Sequence, residues 1–127
     1  MKILLVDDSR TMRIIQKRSL QKLFPDLTVF EANNGKEAIS TIVKEEYSFD
    51  FVMCDINMPI MTGLETLKAI RSQEQSKDIP VIMCTSVADK AQVLEALKCG
   101  ANDYIIKPFK HEDIETKVKA VLERLAN

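Results

Sequence analysis

The residues of this chain that could do chemistry stand directly after short apolar runs. Asp7 and Asp8 follow Ile3–Val6, and Asp55 follows Phe51–Cys54. Thr85 and Ser86 follow Val81–Cys84, and Lys107 follows Tyr104–Ile106. Any one of these aspartates alone reads as a helix cap or a solvated turn residue. Together with Thr85 and Lys107 they make a coherent set. Three ionised carboxylates held close together repel one another and raise one another's pKa values. A hard divalent cation relieves that conflict, and Mg2+ prefers oxygen ligands while keeping waters for phosphate groups. The charges of three carboxylates, Mg2+ and Lys107 sum to zero. A carboxylate nucleophile can accept a phosphoryl group. Such a transfer needs mainly in-line positioning and charge stabilisation, which Mg2+, Lys107 and the Thr85 hydroxyl could supply.

For these groups to meet, the apolar runs must be neighbouring strands. Besides the four named, Leu27–Phe30 makes a fifth. Helical spacing lies between them, at Met12, Ile15 and Leu23, then at Ala38, Ile39, Ile42 and Val43. It returns at Leu64, Leu67 and Ile70, at Ala91, Leu94 and Leu97, and at Ile114, Val118, Val121, Leu122 and Leu125. Strand–helix alternation of this kind predicts an α/β fold, a parallel sheet of five strands doubly wound with five helices. The runs at Ile3, Phe51 and Val81 are unbroken, as in strands buried on both faces. The run at Leu27 is diluted by Thr28 and Glu31, and the fifth is short, so both belong at edges. The order 2-1-3-4-5 satisfies this with right-handed crossovers. Winding reverses between strands one and three, and ligands of such sheets bind beyond the carboxyl ends at that point. Asn34, three residues before Glu37, predicts a capped start to the second helix. Gly100 marks the end of the fourth helix, and Pro80 stands where a strand tolerates proline.

Composition narrows the function. The 127 residues suit a single domain spanning 1–127, with 46% hydrophobic and 29% charged residues. A formal net charge of -1, with the basic residues dispersed, gives no reason to expect nucleic acid or an anionic membrane as partner. No run is long enough to span a bilayer, nor does the N-terminus hold a secretory signal, so a cytoplasmic protein is expected. Cys54, Cys84 and Cys99 form no paired motif, and reduced, buried thiols are expected. Cys54 and Cys84 each precede a site residue on adjacent strands, so they should be direct neighbours facing the same helical layer. Met12, Met53 and Met83 fall at core-facing positions, and His111, beside Glu112 and Asp113, reads as a solvated residue.

Four stretches carry a resemblance: Val6-Asp7-Asp8-Ser9, Asp55-Ile56-Asn57-Met58-Pro59-Ile60-Met61-Thr62-Gly63, Thr85-Ser86 and Lys107-Pro108-Phe109. Leu97 to Tyr104 adds to it. The chain resembles the response-regulator receiver family, in particular its single-domain chemotaxis members, over nearly its whole length. The resemblance implies the flavodoxin-like receiver fold and phosphorylation of Asp55 by a histidine kinase. It implies Mg2+ bound by Asp8, Asp55 and the carbonyl of Asn57, with Asp7 acting through water. Thr85 would bond the phosphoryl oxygens, Lys107 would pair with the phosphate or with Asp55, and Tyr104 would move inward as Thr85 shifts. The same resemblance implies a cis Lys107-Pro108 bond. It places the partner surface on the fourth helix, fifth strand and fifth helix (88–98 and 104–125), with the flagellar switch as the leading target. Val87 stands where some chemotaxis members carry an acid, which implies slower self-dephosphorylation.

Other readings compete. A phosphorelay intermediate and an excised receiver domain of a longer regulator would both carry these motifs. A small hydrolase with an aspartyl-phosphate intermediate would need an acid two residues beyond its nucleophile, and here that residue is Asn57. A receiver that only scaffolds would have no use for an intact Asp55, Thr85 and Lys107.

Overall fold

The computed structural model describes residues 1–86 and 90–126. Strands and helices alternate throughout: β1 (Lys2–Val6), α1 (Arg10–Leu23), β2 (Thr28–Ala32), α2 (Gly35–Lys44), β3 (Phe51–Asp55), α3 (Gly63–Ser72), β4 (Val81–Ser86), α4 (Lys90–Lys98), β5 (Asp103–Lys107) and α5 (His111–Ala126). All pairings are parallel and the order is β2-β1-β3-β4-β5, as the apolar runs predict. Each residue of β3 is buried, whereas β2 and β5 expose part of their length, which matches central and edge positions.

Side chains alternate between two layers. Leu4, Val6, Val52, Cys54, Val81 and Met83 pack with Ala38 and Ile42 of α2, Leu67 and Ile70 of α3, and Val93 and Ala96 of α4. Ile3, Leu5, Phe51, Met53, Ile82 and Cys84 pack with Leu20 of α1 and with Ile114, Val118 and Val121 of α5. The predicted caps are present. Asn34 Oδ1 accepts from the Glu37 amide at 2.9 Å, and Gly100 has φ +104°, the left-handed conformation that glycine adopts without strain. Lys107–Pro108 is cis.

Four expectations are overturned. The inward face of α1 holds Arg13, Gln16, Ser19 and Leu20, while Ile15 is 46% exposed and Met12 only partly covered. Each of the polar side chains inside has at least one partner, although Gln16 Oε1 is buried without one, and the Ser19 hydroxyl pairs with Nδ1 of His111, which is therefore not merely solvated. On α4 the buried residues are Val93 and Ala96, with Leu94 60% exposed and Ala91 also outward. Finally, the β3–β4 register pairs Cys54 with Met83 and Asp55 with Cys84. This offset of one residue puts Cys54 and Cys84 in opposite layers, since side chains alternate along a strand.

Both of these thiols are nonetheless buried. Burial pushes the Cys84 thiol up to about 12 and the Cys54 thiol well above its ordinary value. Cys99 is only partly covered. Alkylation of native protein, followed by intact-mass spectrometry, is expected to add one group quickly and two more only on unfolding. Fast addition of three groups would contradict the packing described.

Candidate functional site

Every residue picked out for chemistry lies at the carboxyl edge of the sheet. Asp7 extends β1, its amide bonded to the Ala32 carbonyl at 3.1 Å, and Asp8 follows, exposed. Asp55 is the last residue of β3, Thr85 the penultimate of β4 and Lys107 the last of β5. The topology thus gathers residues as much as a hundred positions apart. One carboxylate oxygen from each of Asp7, Asp8 and Asp55 lies within 4.8 Å of the others.

Asp7 is 1% and Asp55 8% exposed, so neither carboxylate is solvated well enough to stand alone. Lys107 answers both, with Nζ 3.0 Å from Asp7 Oδ2 and 3.3 Å from Asp55 Oδ2. Burial still raises the Asp55 carboxyl above its usual range; Lys107 opposes this, Asp7 adds to it, and the Asn57 amide donates to the carboxylate. For Lys107 burial pulls downward, but its hydrogen bond to Asp7 and the charges of Asp55 and Asp7 outweigh it, and the ammonium is held above its ordinary value. Three clustered oxygens that exceed the local positive charge form a donor set of the kind a small hard cation prefers.

The loop after β3 is pinned against the site. The Ile56 amide bonds the Cys84 carbonyl at 3.0 Å, and the Gly63 amide returns to the Ile56 carbonyl at 2.8 Å. A Cβ on Gly63 would meet the Asp55 carbonyl oxygen at 2.0 Å and Ile56 Cα at 2.6 Å. Only glycine lets α3 begin this close to the strand that carries Asp55. Thr62 then caps α3 in a reciprocal pair with Glu65. Ile60, at φ +70° and 79% exposed, marks a sharp turn at the rim.

Asn57 is exposed beside Asp55. The Thr85 hydroxyl is buried and donates to the Ser86 carbonyl at 3.4 Å. Thr85 and Tyr104 line one cavity of about 260 Å³ with Lys90, Val93, Leu94 and Leu97. Tyr104 is partly exposed, with Lys117 Nζ 4.7 Å from its ring centre. Val87 lies outside the described residues. Arg13, which apolar periodicity does not mark, donates to the Asp7 carbonyl and, at 2.9 Å, to Glu31 Oε1. The signal was present as a polar residue at helical spacing from Gln16 and Leu20.

The comparisons with known proteins agree with this arrangement. Residues 3–119 match the family described as "Response regulator receiver domain". The chain is 44% identical over 122 residues to the Chemotaxis protein CheY homolog of Campylobacter jejuni, across 96% of this chain and 92% of that protein. It is 44% identical over 125 residues to Chemotaxis protein CheY-3 of Vibrio cholerae, across 98% of this chain and 94% of that one. Among solved structures, the chemotaxis response regulator CheY4 of Vibrio cholerae superposes with a TM-score of 0.84 at 35% identity, covering 94% of this chain and 97% of that chain. With a family match over most of its length and relatives of this identity, the chain belongs to the response-regulator receiver family.

Proposed function

We propose that this protein is a cytoplasmic response regulator in which Asp55 accepts a phosphoryl group from a histidine kinase. The observation that carries this reading is the meeting of Asp55 with Asp7, Asp8 and Lys107 at one end of the sheet. The carboxylate donor set fits Mg2+, held by Asp8, Asp55 and the Asn57 carbonyl with Asp7 behind them. When bound, the cation offsets negative charge on the carboxylates and on an incoming phosphoryl group. The chain's own groups do the rest. Asp55 presents its carboxylate as the nucleophile, with its position fixed by the pinned loop from Ile56 to Gly63. Lys107 exchanges one carboxylate partner for the phosphoryl group, and the Thr85 hydroxyl donates to a phosphoryl oxygen.

Signalling follows from the cavity that Thr85 shares with Tyr104. A Thr85 drawn toward the phosphoryl group vacates room that Tyr104 can take. That motion reshapes the surface of α4, β5 and α5, where Leu94, Leu97 and Ile106 are exposed. This surface would bind the output partner. The names of the relatives support a role in chemotaxis, and the flagellar switch is the output partner proposed for this surface.

Incubation with a small acyl phosphate and Mg2+ is expected to add one phosphoryl group by intact mass, and Asp55→Asn should add none. Equal labelling of that variant rules out Asp55 as acceptor. Metal and pH supply a second test through stability. Because the folded Asp55 carboxyl is held above its unfolded value, the metal-free fold keeps its proton longer than the unfolded chain does. Its stability therefore falls as pH rises from below the unfolded value through the folded one. Asp55→Asn removes that loss, so in metal-free urea titrations the variant should gain on wild type as pH rises above the ordinary carboxylate value. A third test uses Asp8→Ala. Relief of repulsion should make it more stable than wild type without metal, while wild type alone should gain about 2.7 kcal/mol at a hundredfold excess of Mg2+ over its dissociation constant. An Asp8→Ala protein with the full Mg2+ response would remove Asp8 from the ligand set.

A further inference from the structure

Arg13 is 8% exposed, on the inward face of α1, a few residues from the acid pair. A buried guanidinium needs partners for its charge and its donors. Nη1 donates to the Asp7 backbone carbonyl and Nε to Glu31 Oε1 on β2. The other polar atoms of Asp7 are engaged as well. Its amide bonds Ala32 O at 3.1 Å, Oδ1 accepts from the Ser9 amide at 2.9 Å, and Oδ2 accepts from Lys107 at 3.0 Å. The carbonyl that Arg13 holds is half of the peptide joining Asp7 to Asp8. Since the Asp8 side chain is exposed, its aim depends on that peptide.

We propose that Arg13 is a positioning residue: its fork, braced on Glu31, fixes the Asp7–Asp8 peptide and thereby the geometry in which the two acids hold a divalent cation. This rests on the phosphoacceptor reading given above. Two physical effects oppose each other here and give opposite signs. As a bare positive charge beside the acids, Arg13 weakens cation binding, and its removal should tighten it. As an orienting group, it strengthens binding, and outer partners of metal ligands commonly contribute about 10–100-fold in affinity. The near-complete burial and the two-way fork favour orientation. Lysine cannot replace it, because an ammonium lacks a planar fork able to reach two acceptors at fixed angles.

The test is calorimetric titration of the metal-free full chain with Mg2+ alone, for wild type, Arg13→Lys, Arg13→Gln and Glu31→Gln. Circular dichroism and a cooperative urea transition establish that each variant is folded. Both Arg13 variants are expected to bind Mg2+ about tenfold more weakly than wild type. The loss in Arg13→Lys shows that the fork is responsible and not the charge. Glu31→Gln, which keeps an oxygen for Arg13 Nε, should stay within about twofold, as expected for a partly exposed and screened charge. Tighter binding by Arg13→Gln, or wild-type affinity in Arg13→Lys, overturns the proposal. If Arg13→Gln fails to fold, Arg13→Lys decides; if Arg13→Lys also fails to fold, Arg13 is a structural residue and the proposal falls. A wild type that binds no Mg2+ overturns the phosphoacceptor reading itself, whereas wild-type binding with unchanged variants overturns only the role of Arg13.

Discussion

The ammonium of Lys107 lies between two buried carboxylates, Asp7 and Asp55, and the carboxyl edge of the sheet is organised around that contact. Two acids this close and this poorly solvated would repel strongly in a medium less polarisable than water. One cation shared between them lowers that cost without abolishing it, which is why the Asp55 carboxyl stays above its usual range. The residual excess of negative charge is what suits the site to a further cation. The contact also fixes topology, because it joins the end of β5 to the ends of β1 and β3 across the width of the sheet. A different strand order would leave at least one buried carboxylate without its partner.

Close backbone approach supports this electrostatic arrangement. At Gly63 the first turn of α3 runs against the Asp55 carbonyl at a distance no Cβ could occupy. The strand that ends in Asp55 is thereby held in place, while the Ile56–Cys84 hydrogen bond ties it to β4. On the opposite layer α1 contributes polar groups where a helix ordinarily contributes leucines. Arg13 reaches Asp7 and Glu31, Gln16 reaches the Cys84 sulfur at 3.6 Å, and Ser19 reaches His111. Such a stripe is tolerable inside only because its donors find acceptors. It links the acid cluster to β4 and to the start of α5.

Sequence alone determined much of this protein. Unbroken apolar runs at Ile3, Phe51 and Val81 suit strands covered on both sides and the diluted runs suit edges, which, with right-handed crossovers, makes the order 2-1-3-4-5 acceptable. Aspartates, threonine and lysine just beyond those runs must then share one edge, because parallel strands end together. Helix faces and register were decided only by the tertiary structure. Apolar periodicity points to Met12 and Ile15 on α1 and to Ala91 and Leu94 on α4, whereas the inward faces hold the residues that found partners or room: Arg13 beside Asp7, Val93 and Ala96 against the sheet. The offset between Cys54 and Cys84 is a matter of one residue, invisible in composition, yet it puts the two thiols in different layers because side chains alternate strictly along a strand. Local sequence sets what each residue can tolerate; three-dimensional packing, which balances contacts between distant segments, sets which tolerable arrangement forms.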